Sequence, residues 1–339
     1  MTQPTADAAA DAMPVHPAMP ALSAAGHRPH SLHAPERTWV EKNCYVDVWI
    51  ELLAALGLEP RAMLGTSVAL DFEGDQWTFY KPSHDEVRAL YGIDVRELNV
   101  WRPIDAHLAE HVGAGHLVST EADAFYLPDV AGTDYRRQHA KTTIVVAAID
   151  VAARRLGYFH NAGYFELGGE DFDGALGLGG PVTRRALPLY AELLRLDRVV
   201  RRTDGALRAQ ALDFLAAHLA RAPARDPVEA FAARIDADLA ALVAEGPEAY
   251  HAWAFATLRQ LGSAAELSAL HCAWLADGRA GPLADAAAAF ERVSGEAKSM
   301  VLKAARVVVV RKAWDPRPAL ESIGRVRAEG LRAAAAALG

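Results

Sequence analysis

Apolar and polar positions alternate in two different rhythms along this chain. Val48, Trp49, Leu52, Leu53 and Leu56 recur at helical spacing, which predicts a helix over Cys44–Leu56. Asn43 is placed to cap it, Asp47 lies in its first turns, and Gly57 stops it. Period-two runs predict strands at Ser67–Phe72 and Gln76–Tyr80, joined as a hairpin through Glu73-Gly74-Asp75. Short helices are expected at His84–Tyr91 and Ile104–Val112. Strands follow at His116–Thr120, Thr142–Ile149 and Leu156–Phe159, the last two pairing antiparallel across Asp150–Arg155. The stretch from Tyr126 to Asp134, with Pro128, Asp129 and Gly132, suits a functional loop.

Beyond residue 181 the rhythm is helical throughout and rich in Ala and Leu. Leu187–Arg202, Gly205–Ala220, Pro227–Ala244, Pro247–Leu261, Ala264–Ala276, Leu283–Arg311 and Pro318–Leu338 all read as helices of a bundle or array. The glycines between Gly168 and Gly180 mark a boundary; no Gly-Lys-Ser/Thr follows them, so a phosphate loop is not indicated. Residues 1–34 hold ten Ala, five Pro and four His but no Phe, Tyr or Trp, and read as a disordered tail. The expected organisation is therefore a tail (1–34), an α+β core with an antiparallel sheet (35–180) and a helical domain (181–339).

Composition narrows the class. The 339 residues are 52% hydrophobic and 23% charged, enough to build a core. A net charge of −8 argues against a general nucleic-acid binder. The longest apolar runs, Ile144 to Ile149 and Val307 to Val310, fall far short of a membrane span of about 20 residues. No secretory signal is visible at the N-terminus, and two cysteines make no disulfide framework, so a reducing cytoplasm is expected.

Cys44 is the most informative residue. A thiol at the N-terminus of a helix meets unpaired N–H groups and the positive end of the dipole, where thiolate nucleophiles are found; the plain alternative is a structural cysteine. A nucleophile needs a base, and His139, just before one strand, and His160, at the end of the next, are the candidates. Asn161 or Asp150 could orient the imidazole. Cys272, between Leu270 and Trp274 in a helix pattern, reads as core. The acidic group Glu166, Glu170, Asp171 and Asp173 could join His160 around a divalent ion, but a solvated acidic loop is the simpler reading.

Five runs carry a resemblance: Asn43–Trp49, Asp75–Pro82, Phe125–Asp129 with Gly132–Tyr135, His139–Ile144, and Gly157–Tyr164. They are similar to a bacterial family, domain of unknown function 1839. More distantly, the order of Cys at a helix start, a Phe-Tyr-Leu-Pro segment and a His-bearing stretch entering a strand resembles the papain-like N-terminal domain of the butirosin-biosynthesis acyltransferase. The resemblance implies a papain-like core and acyl transfer from a carrier-protein thioester to an amine. It implies Cys44 as nucleophile and His139 as base, with no metal or other cofactor beyond a phosphopantetheine-linked substrate. In that pattern a His stands about eight residues before the strand-ending Asp; here the position is Thr142, so His139 and His160 both stay open, with Asn161 beside them. Gln76, Asp129 and Tyr135 are expected to bind substrate, and Arg136, Arg137 or the Arg306–Lys312 region to meet an acidic acyl carrier protein. A non-catalytic binding protein using the same pocket is the alternative.

Overall fold

A computed structural model describes residues 13, 16–178 and 189–339. The helices are α1 (Cys44–Ala55), α2 (His84–Tyr91), α3 (Ile104–Gly113), α4 (Glu170–Ala175), α5 (Asp204–Ala220), α6 (Pro227–Ala232), α7 (Ile235–Glu245), α8 (Pro247–Ala254), α9 (Gln260–Ala276), α10 (Pro282–Val310) and α11 (Arg317–Ala336). The strands are β1 (Phe72–Glu73), β2 (Gln76–Trp77), β3 (Asp94–Glu97), β4 (Leu117–Asp123), β5 (Lys141–Asp150), β6 (Arg155–His160), β7 (Gly163–Gly168) and β8 (Ala191–Arg195). The class is α+β with antiparallel sheets and a helical C-terminal region. The chain forms two units, each discontinuous in sequence: one takes the residues up to His33, Cys44–Leu58 and Val87–Arg201, the other Ala34–Asn43, Glu59–Glu86 and Arg202–Gly339.

The first unit is built on a six-stranded antiparallel sheet in the order β3-β8-β4-β5-β6-β7. Side chains alternate across it. One face buries Val118, Ala122, Ile144, Val146, Tyr158 and Leu167 against Ile104 and Leu108 of α3 and Phe172 of α4. The opposite face carries Val145, Phe159 and Tyr164 and packs on α1, which touches β5, β6 and β7.

α1 is buried around its whole circumference from Tyr45 to Leu53, so Asp47 and Glu51 are buried with it. Buried carboxylates need partners. The chain before α1 supplies them. His33 Nδ1 lies 2.5 Å from Glu51 and its Nε2 3.0 Å from Asp47, while His27 Nε2 lies 2.8 Å from the other Glu51 oxygen. The His30 backbone N–H also donates to Glu51 at 2.9 Å. This overturns the disordered tail for residues 16–33. Met19, Leu32 and His33 are buried, and the His27 ring packs edge-on to Phe159. A composition without aromatics gave no hint that histidines would neutralise a buried helix. Residues 1–12 and 14–15 of the expected tail lie outside the described residues, as do Gly179, Gly180 and the chain to 188.

The second unit centres on α9, which is buried along nearly its full length and packs on α10; α11 lies against α10. Val68, Leu215, Cys272, Phe290 and Ala334 share one of its apolar clusters. α8 runs into α9 through a turn of π-helix at Phe255–Arg259 rather than breaking at Gly262. Gly262 is a close approach instead: a Cβ there would come within 2.5 Å of the Trp39 ring.

Other expectations need correcting. Of the strand expected over Ser67–Phe72 only Phe72 is one, in β1, because Pro60–Ala69 forms a 3-10 helix opened by the Glu59 cap and Pro60; β1 still pairs with β2 in a short hairpin. The helix expected over Leu187–Arg202 gives way to β8 at Ala191–Arg195, because that segment is hydrogen-bonded between β3 and β4; its first two residues are not described. The core of the first unit therefore extends past 180. Pro227–Ala244 divides into α6 and α7. β3 and β7 were not anticipated.

Glu51 yields a pH prediction. Burial pushes its carboxyl up, but the hydrogen bonds from His27 and His33 and the charge of His33 outweigh it and hold it down, at about 2. A depressed folded value gives stability that is complete above about pH 4.5 and is lost as pH falls toward 2. Denaturant unfolding of wild type and Glu51→Gln is expected to show a stability gap at pH 7. This gap narrows on the order of 3 kcal/mol between pH 4.5 and 2.

Candidate functional site

The side chains singled out in the first unit gather around the start of β5. Cys44 is the first residue of α1 and is half-buried. Its thiol points to the Thr143 hydroxyl, with Sγ 3.9 Å from Oγ1. The neighbouring residue, Thr142, has its Oγ1 2.8 Å from His160 Nε2. Consecutive residues of a strand face opposite ways, so Cys44 and His160 meet β5 from opposite faces of the sheet.

His160 ends a closed buried chain on the α3 face. Its Nδ1 donates to Asp129 Oδ2 at 2.6 Å, and Tyr158 donates to Asp129 Oδ1 at 2.5 Å. His160 and Asp129 side chains are almost fully buried. Burial, with the Asp129 charge next to it, pushes the Tyr158 phenol far up, so it remains a donor. The order carboxylate, imidazole, hydroxyl is complete without Cys44. Asn161 stands in the tight β6–β7 turn with φ +45°, a left-handed position that Asn tolerates. Asp150 Oδ1 accepts the Ala153 N–H in the β5–β6 turn.

His139 lies two residues ahead of β5. Its Nδ1 lies 2.6 Å from Asp123 Oδ2. Asp123 is paired with Lys141, and Glu121 with Thr143, so Asp123, Lys141 and Thr143 project from one face. The Lys141–Glu121 ion pair at 3.2 Å crosses that same face. Asp123 thus stands one pleat repeat, about 7 Å of strand, from the pair that includes Thr143. The imidazole is half-exposed and stacks on Phe125 with centroids 4.4 Å apart. Nδ1–H donation to a carboxylate fixes the tautomer that leaves Nε2 as a lone pair; Nε2 has no hydrogen bond among the described residues. Asp123 is the group sequence reasoning missed. The expected strand stopped at Thr120, whereas β4 runs on to Asp123 and pairs with β5.

The loop that follows β4 frames this imidazole. Arg136 lies over Phe125, Tyr126 and Tyr135 and pairs with Asp171 at 2.6 Å. Tyr135 also donates to Asp171, at 3.0 Å. Gly174 is required here, since a Cβ would fall 2.1 Å from the Tyr126 ring. Glu166, Glu170, Asp171 and Asp173 pair with Arg155, Arg136 and Arg154. No group of three or more His, Cys, Asp or Glu arranged for a metal occurs among the described residues. Gln76 lies exposed on β2 of the second unit. Cys272 is buried in α9, where desolvation pushes its thiol up to about 12.

Two family models cover most of the chain. The DUF1839 N-terminal domain matches residues 28–196 and the DUF1839 C-terminal domain residues 204–332. The chain belongs to the DUF1839 family. The N-terminal match begins at residue 28, within the histidine-bearing segment that clasps α1, and it ends just after β8 closes into the sheet. No curated protein matches the chain. No helix among the described residues of this DUF1839 chain is long and apolar enough to cross a membrane.

The two threonines are predicted to differ in stability. Thr142→Val strands His160 Nε2 in a buried site and is expected to cost about 1–3 kcal/mol. Thr143→Val removes only a long thiol contact and is expected to cost less than about 1 kcal/mol. Urea unfolding of the two variants checks this; equal losses would contradict it.

Proposed function

We propose that this DUF1839 protein is a thiol-dependent acyltransferase or amidase with Cys44 as nucleophile, His139 as base and Asp123 as the group that orients His139. One observation carries the reading: Cys44 and Asp123, the carboxylate that holds His139, address the same face of the sheet at the start of β5. A thiol at a helix start, with an imidazole held by a carboxylate through Nδ1, is the division of labour that thiol nucleophiles use. A papain-like core is part of the proposal, supported by the order of α1, the His139 segment and the antiparallel strands that follow.

The donor is a thioester, on the phosphopantetheine arm of an acyl carrier protein, and the acceptor is a small-molecule amine or water. His139 takes the Cys44 proton, and sulfur attacks the carbonyl carbon. The bond from that carbon to the donor sulfur breaks, and the donor thiol leaves with the proton from His139. The amine then attacks the acyl-enzyme, gives a proton to His139 and expels the Cys44 thiolate, which is reprotonated. Asp129 and His160, bonded to each other, support a structural role on the far face. Tyr135 remains a substrate-side candidate through the loop it shares with Arg136.

A second reading rests on the Thr143 contact. The thiol hydrogen bond goes to a hydroxyl and not to an imidazole, as suits a pocket that binds an acyl group without turnover. Intact-mass measurement after incubation with a short-chain acyl-coenzyme A thioester separates the two. The acyltransferase reading expects an acyl adduct on Cys44 that is absent in Cys44→Ala and accumulates at least about tenfold more slowly in His139→Gln. Reversible binding without adduct in wild type would establish the second reading and overturn the first.

A further inference from the structure

The last turns of α10, which include the Arg306–Lys312 region expected to meet an acidic carrier protein, also expose an apolar ridge. Ala304 and Val308 turn inward, while Leu302, Val309 and Val310 are 60%, 57% and 63% exposed. At 100° per residue, Leu302, Lys303, Arg306, Val309 and Val310 fall on one outward arc of about 120°. Arg311 ends the helix in a left-handed conformation (φ +56°), and Lys312 follows, both exposed. Lys303, Arg306, Arg311 and Lys312 make no ion pair among the described residues. Three bare aliphatic side chains ringed by four uncompensated cations stand out on a chain whose net charge is −8.

We propose that this end of α10 is a docking surface for an acidic protein that presents an amphipathic helix. Charge complementarity selects the partner: carboxylates would meet Lys303, Arg306, Arg311 and Lys312, while an apolar ridge covers Leu302, Val309 and Val310. An apolar centre with a charged rim is the anatomy of a protein interface. Nucleic acid would satisfy the cations but leave the aliphatic centre wet. The arc carries no aromatic residue of the kind that anchors helices at membranes, which weighs against a lipid surface. The nine residues from Leu302 to Val310 span about 12 Å of ridge, so the contact is of the small, transient class. The proposal extends the acidic-partner expectation for this region, but it stands on the exposure and charge of α10 and its test requires no acyl transfer.

The test uses the full chain and a fluorescein-labelled synthetic helical peptide. Leu occupies i, i+3, i+4 and i+7 of the peptide, with Glu and Asp on the flanks. Anisotropy is expected to show saturable binding that weakens as salt is raised. Leu302→Glu with Val309→Glu, and separately Lys303→Glu with Arg306→Glu, should each weaken it by about tenfold or more while thermal unfolding is unchanged. A scrambled peptide of the same composition should bind about tenfold more weakly. Absence of binding, binding indifferent to both variant pairs, or equal binding of the scrambled peptide would overturn the proposal. So would binding to phosphatidylglycerol vesicles without binding to the peptide, which would assign the surface to a membrane.

Discussion

The pleat of β5 decides what the candidate site contains. Thr142 and Thr143 are adjacent, so one must face α3 and the other α1. Thr142 takes His160, Asp129 and Tyr158 into a buried chain on one side. Thr143 meets the Cys44 thiol on the other, the side that also carries Asp123, the partner of His139. His160 is thereby cut off from Cys44 by the thickness of a strand. The separation costs the protein nothing, since it follows from the register that pairs Lys141 with Asp123 and Val146 with Tyr158.

The position of Cys44 depends in turn on α1, a helix with carboxylates buried inside it. Asp47 and Glu51 stay in the interior because His33 bridges them and His27 takes the remaining Glu51 oxygen. Losing one partner of such a buried cluster leaves an uncompensated charge, which is far more costly than never burying the pair. The segment before α1 is therefore part of the first unit's core, and the seat of Cys44 depends on histidines far from it in sequence.

Helices with strong periodicity and clear stops were legible. α1, α2, α3, α5, α10 and α11 lie within a residue or two of the spans read from spacing, and so does the β5–β6 hairpin. What escaped was tertiary. β8 has the local look of a helix in a Leu-rich stretch and becomes a strand because β3 and β4 flank it. His27 and His33 looked like solvated polar residues because their carboxylate partners sit on α1. Cys44, His139 and His160 were visible as chemistry-bearing types, but strand parity sorts them, and parity needs the register. Asp123 was overlooked because an acidic residue at a strand end is ordinarily solvated.

The most direct test is the rate at which iodoacetamide alkylates Cys44 near neutral pH, read by peptide mass, with buried Cys272 as the internal control. If His139 is the base, His139→Gln slows labelling by about tenfold or more. His160→Gln, checked for folding by circular dichroism, leaves the rate within about twofold. A rate that falls with His160→Gln and not with His139→Gln would contradict the assignment of His139 as the base. A rate indifferent to both would contradict an activated Cys44.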